Sequence, residues 1–227
     1  MLCAWPTLRL YNHLTMSAAY PLADEALAKA DTLMGFDWVE YVLWVDRHPA
    51  LIELMDFSYT GLSGYTMILF LLLLLGNEPK RRGQELLKLF FSTAIICSTI
   101  GMFFPAEAAA VFYQIPPNFL THVDPRVGAY HLEHLQALRS DPEHLLFLNN
   151  LPGLVTFPSF HTAMGIIAIY CARGTPWLFG PSVIINLLMI ASTPLFGSHY
   201  LIDIIAGAAV AVGVILFQRY LSVSSTE

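Results

Sequence analysis

The sequence predicts an all-α fold: a multi-pass membrane helix bundle of about five spans, with interfacial helices at its N-terminus. Of 227 residues, 56% are hydrophobic and only 12% charged. The mean hydropathy is +0.59, and the apolar residues lie in blocks too long and uniform for a soluble core. Four of these blocks, residues 59–75, 86–104, 177–196 and 201–217, approach the roughly 20 residues that a helix needs to cross hydrocarbon. A fifth, residues 160–172, is shorter and spans only if its flanks extend it or the bilayer thins around it.

The N-terminal 57 residues read differently from residues 58–220, which form the expected membrane domain. Residues 21–56 hold eight acidic and two basic residues interleaved with Phe36, Trp38, Tyr41 and Trp44, a mixture suited to helices lying at an interface. Residues 2–20 would add a sixth span, but Arg9, Asn12 and His13 interrupt them. They also lack the charged start and small-residue cleavage site of a signal peptide.

Basic residues set the expected orientation. Lys80, Arg81 and Arg82, with Lys88 close behind, place the turn before the second span on the cytoplasmic side. Counting spans puts Arg173 and Arg219 on that same side. Residues 105–158 and the turn around Gly197 then share the extracytoplasmic side.

Cys3, Cys97 and Cys171 are scattered and define no disulfide framework. They read as small helix-packing residues. His122, His131, His134 and His144 cluster in the long segment between the second and third spans, but contain no His-Glu-x-x-His and no paired cysteines. They read as residues of an interfacial or surface helix, as do the isolated His13 and His48.

Two short segments carry chemistry: Pro158-Ser159-Phe160-His161 and Gly197-Ser198-His199-Tyr200-Leu201-Ile202-Asp203. Each puts a histidine at the mouth of an apolar helix, with Ser159 and Ser198 as expected N-caps. His199 and Asp203 are four apart, so they stack on one helical face. Asp203 then accepts the Nδ1 hydrogen and leaves Nε2 as a nucleophile. A carboxylate inside an apolar span is costly enough to be functional by default. Two helix N-termini facing one cleft would also offer backbone N–H groups to an anion such as phosphate.

These segments, continued by Ile204-Ile205-Ala206-Gly207, resemble the second and third signature motifs of the type 2 phosphatidic acid phosphatase superfamily. The form is most similar to its inositol phosphorylceramide synthase and sphingomyelin synthase branch, where His-Tyr-x-x-Asp is typical. The resemblance covers residues 86–217. It implies a membrane phosphatase or phosphotransferase domain in which His199 takes the phosphoryl group, Asp203 orients it, and His161 protonates the departing alkoxide and later deprotonates the incoming hydroxyl.

The chain departs from the superfamily pattern where positive charge is concerned. Phe103-Phe104-Pro105-Ala106-Glu107 lacks the Lys and Arg of a first motif, Thr193 stands where the third motif has Arg, and Phe160 replaces a Gly. A site poor in cations suits a singly charged phosphodiester better than a doubly charged monoester. Arg126 and Arg139, the basic residues of segment 106–154, are the expected phosphate ligands beside Ser159 and Ser198. The expected partners are a lipid substrate and the membrane, with no cofactor, metal or nucleic acid. A phosphomonoester phosphatase of the same superfamily and a non-catalytic lipid-binding or transport protein are the competing readings.

Overall fold

The computed structural model describes residues 4–18, 20–75, 81–116, 118–141 and 151–224. Helices dominate, in the order α1 (Ala4–Met16), α2 (Asp24–Leu33), α3 (Trp38–Asp46), α4 (Pro49–Thr60), α5 (Leu62–Leu75), α6 (Arg81–Phe103), α7 (Ala109–Phe112), α8 (Leu132–Ser140), α9 (Phe160–Ala172), α10 (Pro176–Phe196) and α11 (Leu201–Ser224). No strand occurs among the described residues. The chain is an all-helical membrane bundle.

Three helices are individually long and apolar enough to span: α6, α10 and α11. Helices α4 and α5 reach spanning length only together, as one broken span or a re-entrant loop, and meet at a 54° bend near the start of the run 59–75 that the sequence predicts as continuous. Gly61 sits at the bend, and a Cβ there would lie 2.6 Å from the Phe57 carbonyl oxygen. The expected fifth span, α9, has only 13 residues, roughly 20 Å of helix. It lies at the centre of the bundle, with Ala163, Met164, Ile167, Ala168, Cys171 and Ala172 buried against α5, α6 and α11. Its small residues allow close approach, and protein surrounds it on most sides.

The far end of α9 is tied to the start of α6. Arg173 pairs with Glu85 at 3.3 Å, the Tyr170 hydroxyl donates to Glu85 at 2.9 Å, and Arg82 donates to the Arg173 carbonyl. Basic residues thus gather at the end of α9 opposite His161. Lys80 falls outside the described residues.

The N-terminal helices pack into the bundle. Leu27, Ala28, Trp38, Val42 and Val45 share one core with Leu195, Phe196 and Tyr200. Helix α1 packs on α6 and α8. On α2 the buried residues are Asp24, Leu27, Ala28 and Asp31, the i, i+3, i+4, i+7 stripe of an amphipathic helix. Two of the four are acids, and both reach backbone amides. Asp24 accepts from the Glu107 and Ala108 amides and the Tyr200 hydroxyl at 2.9–3.1 Å. Asp31 accepts from the amides of Leu201 and Ile202 at 2.7 and 2.9 Å. On α3, Asp46 takes the amides of Thr121 and His122 at 2.8 and 2.9 Å. The acidity of this segment satisfies loop backbone that burial would otherwise leave unpaired.

Candidate active site

The turn between α10 and α11 is built by backbone constraints that begin at Pro194. A proline inside a helix has no N–H for the carbonyl four residues back; the Thr193 hydroxyl donates to that carbonyl, Ile190, at 2.8 Å. The Thr193 carbonyl accepts in turn from the Gly197 and His199 amides. Ser198 adopts the left-handed conformation, φ 51°, which is uncommon for a residue with a side chain. It is held there by the Ala109 amide on its carbonyl and the Ala110 amide on its Oγ at 2.7 Å. The chain therefore turns His199 inward, where it is 3% exposed.

His199 Nδ1 lies 3.2 Å from Asp203 Oδ2, and the same oxygen accepts from the Tyr200 amide at 3.0 Å. A carboxylate only accepts, so Nδ1 carries the hydrogen. Nε2 is 3.2 Å from Ser159 Oγ, whose hydroxyl hydrogen it accepts in this tautomer. Burial lowers the His199 pKa to about 4 against a raising bond from the Thr156 backbone, so the ring is neutral at neutral pH.

Ser159 also caps α9, accepting from the Thr162 amide at 3.3 Å, as the sequence predicts. Its own amide donates to the Asp203 carbonyl at 3.0 Å, which joins the two motif segments directly. Gly207 makes this approach feasible, since a Cβ there would lie 2.3 Å from the Ser159 carbonyl oxygen. His161, in the first turn of α9, stacks on Tyr59 of α4 with centroids 4.6 Å apart and rings inclined by 18°. Its ring centroid is 6.1 Å from that of His199, and the two rings meet edge to face at 64°.

Both imidazoles open into one cavity of about 850 Å³. Around the histidines its wall includes Tyr59, Tyr130, His131 and Thr156; beyond them it runs between α5 and α6 past Phe70, Leu86, Leu87, Phe90 and Ala94. Arg9 and Asn12 of α1 line it as well. Arg9 donates to the Leu151 carbonyl at 2.9 Å, and Asn12 accepts from the Leu154 amide at 2.9 Å.

Several expected ligands are placed elsewhere. Arg139 donates to the carbonyls of Ala18 and Tyr20 at 3.1 and 2.6 Å and is absent from the cavity wall. Ser198 Oγ is occupied by the Ala110 amide, so Ser198 does not cap α11. The α11 amides expected to meet an anion already meet Asp31 and Asp203. Distant backbone and side chains reach Ser198, Arg139 and the Leu201 and Ile202 amides first, and Asp203 takes the Tyr200 amide locally. Helix α9 differs, because the Phe160 and His161 amides carry no partner among the described residues. The Arg126 side chain and His144 fall outside the described residues.

Sequence reasoning missed Asp24, Asp31, Tyr59, Arg9 and the position of His131. The two acids were visible as charges on the apolar stripe of α2. Nothing local marked the others.

The family model described as the PAP2 superfamily matches residues 25–217. The chain belongs to the PAP2 superfamily. The match takes in both motif segments and reaches back through α2, α3 and α4, well before the region the motifs alone marked. It leaves out α1, and with it Arg9. No curated protein and no solved structure matches the chain. Membership makes this a lipid enzyme of the phosphatase or phosphotransferase type.

Proposed function

We propose that this protein is a lipid phosphotransferase that acts on a phosphodiester head group through a phosphohistidine at His199. One observation carries the reading: the cavity that holds His161 and His199 continues into an apolar groove between α5 and α6. A lipid can lay its chains in that groove with its phosphate between the two imidazoles, so that reacting groups are held in place before chemistry begins.

In the first step Nε2 of His199 attacks phosphorus, the N–P bond forms and the bond to the lipid oxygen breaks. His161, having taken up a proton as the anionic phosphate binds, gives that hydrogen to the departing oxygen. The imidazolium formed at His199 is stabilised by Asp203, as in other histidines oriented by a buried carboxylate. In the second step an acceptor hydroxyl gives its proton to His161 and displaces His199. The Phe160 and His161 amides are the donors proposed to hold the phosphoryl oxygens. No step in this scheme calls for a metal.

Transfer is favoured over hydrolysis by the apolar wall beside the histidines. Phe160 and Met164 line the cavity beside the histidines, and walls of this kind hold water away and favour a lipid hydroxyl. With Arg139 spent on backbone carbonyls, the fixed charge suits a diester. The basic residues at the far end of α9 favour an extracytoplasmic site by the positive-inside rule.

Purified protein given a phosphatidic-acid-like monoester and a phosphatidylinositol-like diester, with a diacylglycerol or ceramide-like acceptor, tests the reading. The expected result is acceptor product from the diester, persisting in excess chelator, and loss of both product and phosphohistidine in His199→Ala. His161→Ala slows reactions with poor leaving groups by roughly 100- to 10,000-fold. Phosphate release from the monoester with no acceptor product would return the chain to the plain lipid phosphatases. Phosphohistidine trapped equally well in His199→Ala would overturn the nucleophile.

A further inference from the structure

His131 belongs to neither motif, yet its imidazole lines the cavity with His161 and His199. It is 4% exposed, and its Nε2 has no partner among the described residues. The Glu107 backbone also bonds the ring; with Nε2 unpartnered, Nδ1 is the nitrogen left to donate to the Glu107 carbonyl, and Nε2 keeps a lone pair. Such an atom faces an anionic oxygen unfavourably unless it gains a proton. Turning the ring away would break the Glu107 bond.

We propose that His131 is an inducible cation: when a phosphoryl group enters the cavity, Nε2 takes a proton from solvent and donates it as a hydrogen bond to a non-bridging phosphoryl oxygen. The inference rests on the phosphoryl-transfer reading above and supplies the charge that the motifs lack.

The surroundings explain why the charge is absent until the ligand arrives. Burial is the largest influence and the neighbouring His199 adds to it; together they hold His131 at about 4, against the Glu107 carbonyl and the carboxylate of Asp24 on α2. The other titratable groups on the cavity wall are Tyr59 of α4, His161 of α9, Tyr130 beside it and Arg9 of α1, while Glu133 and His134 follow it in sequence on α8. A unit anion about 4 Å away, at an effective dielectric of about 20, favours protonation on the order of a thousandfold. That brings the imidazole to its charged form near neutral pH only while the anion is bound. A single induced charge also matches the single charge of a phosphodiester.

Calorimetry of inorganic phosphate and orthovanadate binding to the full chain in detergent, in buffers of different ionisation heat, tests this. Wild-type protein should bind with proton uptake and lose affinity as pH rises between about 5 and 8. His131→Phe should bind on the order of 10- to 100-fold more weakly and take up about one proton fewer. His131→Gln, an uncharged donor of similar reach, should regain part of the affinity without the proton. Should His131→Phe not fold, the imidazole ¹⁵N spectrum of wild type with and without vanadate must show a ring becoming cationic whose signal is missing in His131→Gln. Unchanged affinity and proton count in both variants, or weakened binding in Arg9→Gln alone, overturns the inference while leaving the transferase reading intact. Wild-type protein that binds neither anion and turns over no lipid phosphate overturns both.

Discussion

Asp31 on α2 caps the first turn of α11, accepting from the Leu201 amide 170 residues further along the chain. That residue and its neighbour Ile202 are flanked by the reactive pair, His199 and Asp203, so an N-terminal acid fixes the frame of the site. Asp31→Ala leaves two part-buried N–H groups without their carboxylate partner and should destabilise the fold by about 2–3 kcal/mol, the usual worth of hydrogen bonds to a charged group. Thermal unfolding and turnover should fall together. Asp37→Ala, which removes only the exposed N-cap bond to Glu40, should leave turnover unchanged.

Gly207→Ala should reduce activity although it improves helix propensity. Alanine is better than glycine by about 1 kcal/mol in a helix interior, but here its Cβ would meet the Ser159 carbonyl oxygen at 2.3 Å. The segment carrying Ser159 must retreat, and its hydroxyl leaves His199 Nε2. Steady-state kinetics show the effect as a lower kcat with intact far-ultraviolet circular dichroism. A variant of full activity would show that the contact between the two motif segments is dispensable.

The groove between α5 and α6 should set chain-length preference. Ala94→Trp places a large side chain on the cavity wall away from the histidines, so kcat/KM should drop for long-chain lipids and hold for short-chain ones. Equal losses for both would place the acyl chains elsewhere.

Asp46 should make the loop before α8 sensitive to acid. Burial pushes its carboxyl up, but the Thr121 and His122 amides, the His122 ring and the Val123 amide outweigh that and leave it below 3.8. A lowered carboxyl stabilises the fold above that value, and the contribution is lost as pH falls through the folded pKa. The protection factors of the Thr121 and His122 amides, relative to their intrinsic exchange rates, should therefore fall on acidification below about pH 4. Asp46→Asn should exchange faster at neutral pH and show little of this acid step.

The membrane class, the long spans and the trio of His161, His199 and Asp203 were legible in the sequence, because each rests on local pattern. Apolar length reports the bilayer, and an i, i+4 spacing or a serine before a helix reports neighbours a turn away. The bend at Gly61, the burial of α9, the diversion of Ser198 and Arg139, and the arrival of His131, Arg9 and Asp31 at the site were decided by tertiary structure. Each depends on which of several competing donors and acceptors comes within about 3 Å, and residues separated by a hundred positions or more leave no periodic trace of that choice. An acid on a buried stripe or a histidine in a loop states only that it needs a partner; the packed bundle determines which one it finds.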